Sequence, residues 1–131
     1  MRRPLRYFRW WLALGWIIVI AVIVLSLLSN PPIDVSIRFG DKVGHVMAYA
    51  VLMGWFVQLF HSRGLLIIHA LLLIGMGIGL EFLQGYSGRH FEYADMAANT
   101  IGVLFGTLLF FTPLQTLLLR FEGRFISRGK S

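Results

Sequence analysis

Residues Gly79–Gly106, GLEFLQGYSGRHFEYADMAANTIGVLFG, differ most from the otherwise apolar sequence around them. Two pairs of polar residues flank a short polar turn in this stretch, Glu81 and Gln84 before the turn and Asp95 and Asn99 after it. Ionisable side chains at membrane depth are costly, and where they occur they usually serve a function. We therefore expect a helical hairpin that supplies half of a polar site.

The composition favours a membrane protein with a single domain, residues 1–131. Hydrophobic residues make up 57% of the chain, charged residues only 14%, and the mean hydropathy is +0.74. A soluble domain carries about 25% charged residues. The sequence contains no cysteine, which excludes disulfides, zinc–thiolate sites and cysteine nucleophiles.

The net charge of +6 does not indicate a nucleic-acid partner. The basic residues cluster at the two termini beside long apolar runs, and no basic stripe alternates with aromatic residues. We therefore predict membrane lipids as partners and no nucleic acid.

The apolar runs predict an all-α integral membrane four-helix bundle built from two helical hairpins. Between Trp10 and Ile33 there is no charged residue, and about 20 apolar residues suffice to cross the hydrocarbon core. This first run is longer than a signal-peptide core, and no A-x-A-like cleavage site follows it. The predicted spans are residues 10–28, 43–60, 65–84 and 94–112, followed by a basic cytoplasmic tail at 113–131, in which residues 114–125 would form a short interfacial helix.

The distribution of basic residues predicts that both termini are cytoplasmic, in the plasma or inner membrane. That orientation puts nine basic residues inside and three outside. The inner ones are Arg2, Arg3, Arg6, Arg9, Arg63, Arg120, Arg124, Arg128 and Lys130, and the outer ones are Arg38, Lys42 and Arg89. Acidic residues show the opposite pattern, with only Glu122 on the inner side, as an outward-facing site would require.

The start of the second helix predicts the other half of the polar site. Asp41, Lys42, His45 and Tyr49 fall within two turns of one another, and helical periodicity puts Asp41 and His45 on one stripe with Tyr49 at its margin. The proposed topology brings these residues to the same membrane surface as the hairpin. We predict nine ligand-binding residues: Asp41, Lys42, His45, Tyr49, Glu81, Gln84, Arg89, Asp95 and Asn99.

Several of these residues also have purely structural interpretations. Asp41 and Asp95 would serve as helix N-caps, and Lys42 would extend its ammonium to the headgroups. Glu81 would form an ion pair with Arg89 or Lys42. Two small-x-x-x-small pairs predict close helix packing and a homo-oligomer through glycine-rich faces; they are Gly75 with Gly79 and Gly102 with Gly106.

The motif order resembles the VanZ-like family of small membrane proteins. The resemblance covers about residues 40–106 and rests on Asp41-Lys42-x-x-His45-x-x-x-Tyr49, Glu81-x-x-Gln84, Arg89 and Asp95-x-x-x-Asn99-x-x-Gly102-x-x-x-Gly106. It implies a cell-envelope membrane protein, related to a family linked with glycopeptide-antibiotic resistance, and it gives these residues weight as a site. It supplies no reaction.

The sequence leaves four functions open and identifies no cofactor. The first is a protein that binds or handles an anionic lipid-linked or cell-wall headgroup, through Arg89, Lys42 and two helix N-termini. The second is a membrane-embedded hydrolase or transferase with His45, Glu81 and Asp95 as catalytic candidates, and no metal motif of diagnostic spacing accompanies them. The third, proton or ion passage, lacks a continuous polar path, and the fourth is a non-catalytic scaffold.

Overall fold

The computed structural model describes residues 1–28, 38–88 and 91–126, and every regular element in these ranges is a helix or helical turn, as predicted. Two 3₁₀ turns, Leu109–Phe111 and Pro113–Thr116, separate the last two helices, and a π-helical turn, Glu122–Ile126, follows the last. The five helices are α1 Phe8–Leu27, α2 Arg38–Leu59, α3 Arg63–Tyr86, α4 Tyr93–Leu108 and α5 Leu117–Phe121.

Three segments of the described chain are long and apolar enough to cross a membrane: α1, α3 and residues Tyr93–Phe111. Helix α2 is 22 residues long but less apolar, since Lys42, His45 and Gln58 lie within it. It is nevertheless the most buried helix, because Leu52, Met53, Val57 and Leu59 are fully inaccessible. The helix that carries half of the predicted polar site is therefore also the centre of the core.

Glycines allow α4 to lie directly on α2. A Cβ atom added to Gly106 would come within 2.6 Å of the Met53 Cβ and 2.7 Å of the Ala50 carbonyl oxygen. A Cβ on Gly102 would overlap the carbonyl oxygen of Val46. This close approach sets the spacing between the two helices that carry most of the polar residues.

The other predicted glycine pair lies on the surface. Gly75 and Gly79 are exposed, and a Cβ atom on either would meet nothing within 4 Å. Within the chain it is instead Gly77 that faces a neighbour, since its added Cβ would lie 2.9 Å from Asn99 Nδ2. A homo-oligomer through the Gly75–Gly79 face stays a prediction.

The C-terminal segment, residues 109–126, folds back onto the start of the chain. Thr112 is extended, with φ −118° and ψ 160°, because the following Pro113 disfavours helical geometry at that residue. Gln58 of α2 then holds the returning chain, donating to the Leu114 carbonyl at 2.8 Å and accepting from the Leu118 N–H at 3.1 Å. Residues predicted as a basic tail are therefore, as far as Ile126, packed helical turns.

The N-terminal strap, residues 1–7, closes the same end of the molecule. Its backbone pairs with the end of α2, where the Arg3 N–H donates to the Leu59 carbonyl at 2.8 Å. The Arg3 guanidinium is buried and donates to Val57 O and to Gln115 Oε1. Desolvation of this group lowers its pKa below the ordinary arginine value. Both ends of the described chain thus meet beside the α2–α3 connection.

Candidate functional site

Polar side chains from three helices converge at the end of the molecule opposite the N-terminal strap. We call this group the polar cluster and define it as Lys42, His45, Glu81, Glu92, Asp95 and Asn99. Its members come from the start of α2, the end of α3, and the connection into α4. Arg89 and the side chain of Asp41, two of the predicted ligand-binding groups, lie outside the described part of the chain.

Lys42 joins α2 to the start of α4. Its ammonium lies 2.7 Å from Glu92 Oε2 and 2.8 Å from Asp95 Oδ1. These hydrogen bonds, the one to Asp95 first, raise the pKa of Lys42 above its ordinary value. The Lys42 side chain is 28% exposed and that of Glu92 43%, whereas that of Asp95 is 8% exposed. The Lys42 cation therefore lies at the open mouth of the polar cluster and Asp95 lies beneath it.

His45 lies one turn deeper and contacts two residues of α4. Its Nδ1 is 2.8 Å from Asn99 Oδ1, and its Nε2 is 3.8 Å from Asp95 Oδ2. Because an amide oxygen only accepts hydrogen bonds, this contact puts the proton of a neutral ring on Nδ1 and the lone pair on Nε2. A proton taken up at Nε2 would face the Asp95 carboxylate. The arrangement orients a base and provides a counter-charge for its protonated form.

Glu81 is 2% exposed and holds the α3–α4 hairpin from within. Its Oε1 accepts the backbone N–H of Glu92 at 2.7 Å. The structure gives it no ion pair with Lys42, one of the two partners expected from the sequence; the other, Arg89, lies outside the described residues. Glu81 thus fixes the position of Glu92, which in turn binds Lys42.

Two other predicted residues lie outside the polar cluster as defined, Gln84 near the end of α1 and Tyr49 beside Asn99, since Tyr49 and Asn99 both face Gly77. Gln84 Nε2 donates to the Ser26 carbonyl at 2.5 Å and so joins the end of α3 to the end of α1. Tyr49 is 2% exposed, and its hydroxyl has no hydrogen-bond partner among the described residues. That hydroxyl faces Gly77, where an added Cβ would lie 3.3 Å from it.

The sequence interpretation missed Glu92. This glutamate precedes α4 by one residue and Asp95 by three, so its carboxylate reaches the same lysine. The sequence did contain a signal for this contact. Glu92 and Asp95 are three positions apart, and Lys42 is the single cation expected beside both. Counted together, the polar cluster has one ammonium group against three carboxylates.

Among residues 1–28, 38–88 and 91–126, no three His, Asp or Glu side chains are arranged to hold a metal ion. Comparison with known proteins finds no matching family model, no matching curated protein and no matching solved structure. The chemistry of the polar cluster must therefore be argued from its own geometry.

Proposed function

We propose that this chain is a VanZ-like multi-pass protein of the cell envelope that binds the anionic headgroup of a lipid-linked or cell-wall molecule at the polar cluster. The observation that carries the proposal is the position of Lys42, a partly exposed cation held over the half-buried imidazole of His45 and the buried amide of Asn99. A phosphate at the mouth would accept from the Lys42 ammonium, and hydroxyl or amide groups of the same headgroup would reach His45 and Asn99.

The proposal includes a four-helix bundle in the plasma or inner membrane with both termini cytoplasmic. Three apolar segments support it, together with the burial of α2, whose contact with α4 hides part of its polar surface. The arginines of the N-terminal strap and of the C-terminal segment lie at one end of the molecule and the carboxylates of the polar cluster at the other. Positively charged loops favour the cytoplasmic side.

Cysteine labelling tests this orientation, since the chain has no native cysteine. Ser87, exposed just after α3, is expected to be reached by a membrane-impermeant maleimide on intact cells when it is replaced by cysteine. His61, exposed between α2 and α3, is expected to be labelled as His61→Cys only after permeabilisation. The reverse pattern would contradict the proposed topology.

Headgroup binding at Lys42 requires an exchange of partners, because Glu92 and Asp95 already occupy this cation. The more exposed Glu92 is the partner that an incoming phosphate would displace. Neutralising Glu92 should therefore strengthen anion binding, whereas removing Lys42 should weaken it. A scaffold role predicts no such opposition, since the ion pair lost on neutralising Glu92 is one of the two lost on removing Lys42.

We expect Glu92→Gln to bind farnesyl diphosphate several-fold more tightly than the wild type, and Lys42→Ala roughly tenfold more weakly, because a charge-assisted hydrogen bond contributes about 1.5–3 kcal/mol. Calorimetry on the full chain in neutral phosphatidylcholine nanodiscs measures both. Arg63→Ala removes an exposed cation at the opposite end and serves as the matched control. Equal affinities for wild type, Glu92→Gln and Lys42→Ala would refute headgroup binding at this site.

The oriented imidazole of His45 supports a second candidate, a membrane-embedded hydrolase or transferase. With Nδ1 held by Asn99 and Asp95 beside Nε2, His45 would take a proton from water or a headgroup hydroxyl. The same nanodiscs separate binding from hydrolysis, since a hydrolase would release phosphate from farnesyl diphosphate with time and lose this activity in His45→Gln. If the wild type binds farnesyl diphosphate without hydrolysing it, the result supports the binding function alone.

A further inference from the structure

We propose a second lipid site at the opposite end of the molecule, for an anionic phospholipid of the cytoplasmic leaflet. This inference goes beyond the headgroup site and shares with the proposed function only the membrane orientation. It rests on an apolar groove along α2, a basic cleft beside it, and two arginines that have no acidic partner in the described part of the chain.

The apolar groove lies between α2 and the C-terminal segment and has a volume of about 610 Å³. Met47, Val51 and Trp55 line its α2 side, and Leu109 and Phe121 line the side of the returning chain. One lining residue, Gln58, carries a side-chain amide. That amide is already hydrogen-bonded to the Leu114 carbonyl and the Leu118 N–H. An acyl chain fits such a surface, since the groove offers contact area and few polar groups to desolvate.

A basic cleft of about 480 Å³ adjoins this groove, and the two share Leu117 and Phe121 as a common wall. Arg120 and Arg124 line the cleft and are exposed. The intervening acid, Glu122, is buried and turned toward the N-terminal strap, so it does not neutralise them. Arg120 and Arg124 would bind the phosphate of an anionic phospholipid, and the apolar groove beside them would hold its acyl tail.

The groove also extends toward Met47, two residues beyond His45, so a tail could enter it from either end. The shared wall at Leu117 and Phe121 favours entry beside the arginines. If the lipid were instead anchored at the polar cluster, its retention would depend on Lys42 and not on Arg120 or Arg124. Variants at the two ends therefore distinguish this inference from the proposed function.

Native mass spectrometry of the full chain released from nanodiscs of phosphatidylcholine and phosphatidylglycerol in equal parts tests the proposal. We expect phosphatidylglycerol to be retained, and the Arg120→Gln, Arg124→Gln double variant to retain roughly tenfold less, the size expected for two arginines at an anionic surface. Both positions are exposed, so folding should be unaffected.

The groove is tested separately with Val51→Phe, which narrows it, against Val24→Phe, the same substitution at an exposed position of α1. Only Val51→Phe should reduce the retained phosphatidylglycerol. Equal retention of both lipids by the wild type, an unchanged double variant, or loss in Lys42→Ala alone would each overturn the proposal.

Discussion

Replacing Gly106 by alanine is expected to lower the free energy of unfolding by about 2 kcal/mol, within the 1–3 kcal/mol typical of overpacking. The new methyl group would meet the Met53 Cβ at 2.6 Å and the backbone of Ala50 at 2.7 Å, and backbone cannot rotate away as a flexible side chain can. The helices α2 and α4 would have to separate. Thermal unfolding in detergent, followed by tryptophan fluorescence, measures the loss.

Gly79→Ala is the matched control, because it makes the same change in a helix where nothing lies within 4 Å. There the substitution should be neutral or stabilising by up to about 1 kcal/mol, since alanine loses less backbone entropy than glycine in a helix. Equal midpoints for Gly106→Ala and Gly79→Ala would show that the α2–α4 contact is not tight.

A glycine-to-alanine change one turn earlier, at Gly102, should also reach the polar cluster. Gly102 lies between Gly106 and Asn99 on the buried face of α4, so helix separation would lengthen the 2.8 Å contact between His45 and Asn99. We therefore expect Gly102→Ala to weaken farnesyl diphosphate binding as well as stability. Helix packing and site geometry depend on one another here because both are set by the same face of α4.

Helical periodicity was enough to predict which residues of α2 and α4 would share the polar cluster. Asp95 and Asn99 are one turn apart and are both buried on α4, and His45 meets both. Such contacts follow from residue spacing once two helices share an end of the molecule. The all-α class followed from the apolar runs for the same local reason.

Side chains whose partners are backbone groups were harder to predict. Glu81 binds a backbone N–H of Glu92, and Gln84 binds the Ser26 carbonyl, 58 positions away. No side-chain pattern marks a backbone acceptor or donor, so a sequence can suggest that Glu81 needs a partner without naming it. The same limit applies to Gln58, which holds the C-terminal segment through the Leu114 carbonyl and the Leu118 N–H.

The strongest example is Glu122, which the sequence interpretation noted only as the single acid on the inner side. Its carboxylate is buried and accepts three hydrogen bonds, from Arg6 N at 2.7 Å, Tyr7 N at 3.0 Å and Trp11 Nε1 at 2.6 Å. It thereby satisfies N–H groups at the start of α1, where the N-cap residue Tyr7 makes no side-chain cap of its own. A negative charge is also favourable at a helix N-terminus.

We therefore expect Glu122→Ala to be the more damaging of the two changes, with a loss of about 3 kcal/mol or more, since each donor left unsatisfied in a buried place costs about 1–3 kcal/mol. Glu122→Gln should be intermediate, because the amide keeps one oxygen acceptor and brings an N–H₂ group that faces other donors. Unfolding in detergent, reported by tryptophan fluorescence, measures the series.

Glu92→Gln is the control for Glu122→Gln, since it makes the same chemical change at a side chain that is 43% exposed. An exposed ion pair contributes about 0–1 kcal/mol to the free energy of unfolding. A Glu122→Ala variant that unfolds at the wild-type temperature would mean that the strap and the C-terminal segment are not joined through this carboxylate. Arg120 and Arg124 flank Glu122, so detachment of the C-terminal segment from the N-terminal strap should also reduce phosphatidylglycerol retention. The stability of this end of the molecule is thereby linked to the lipid site proposed beside it.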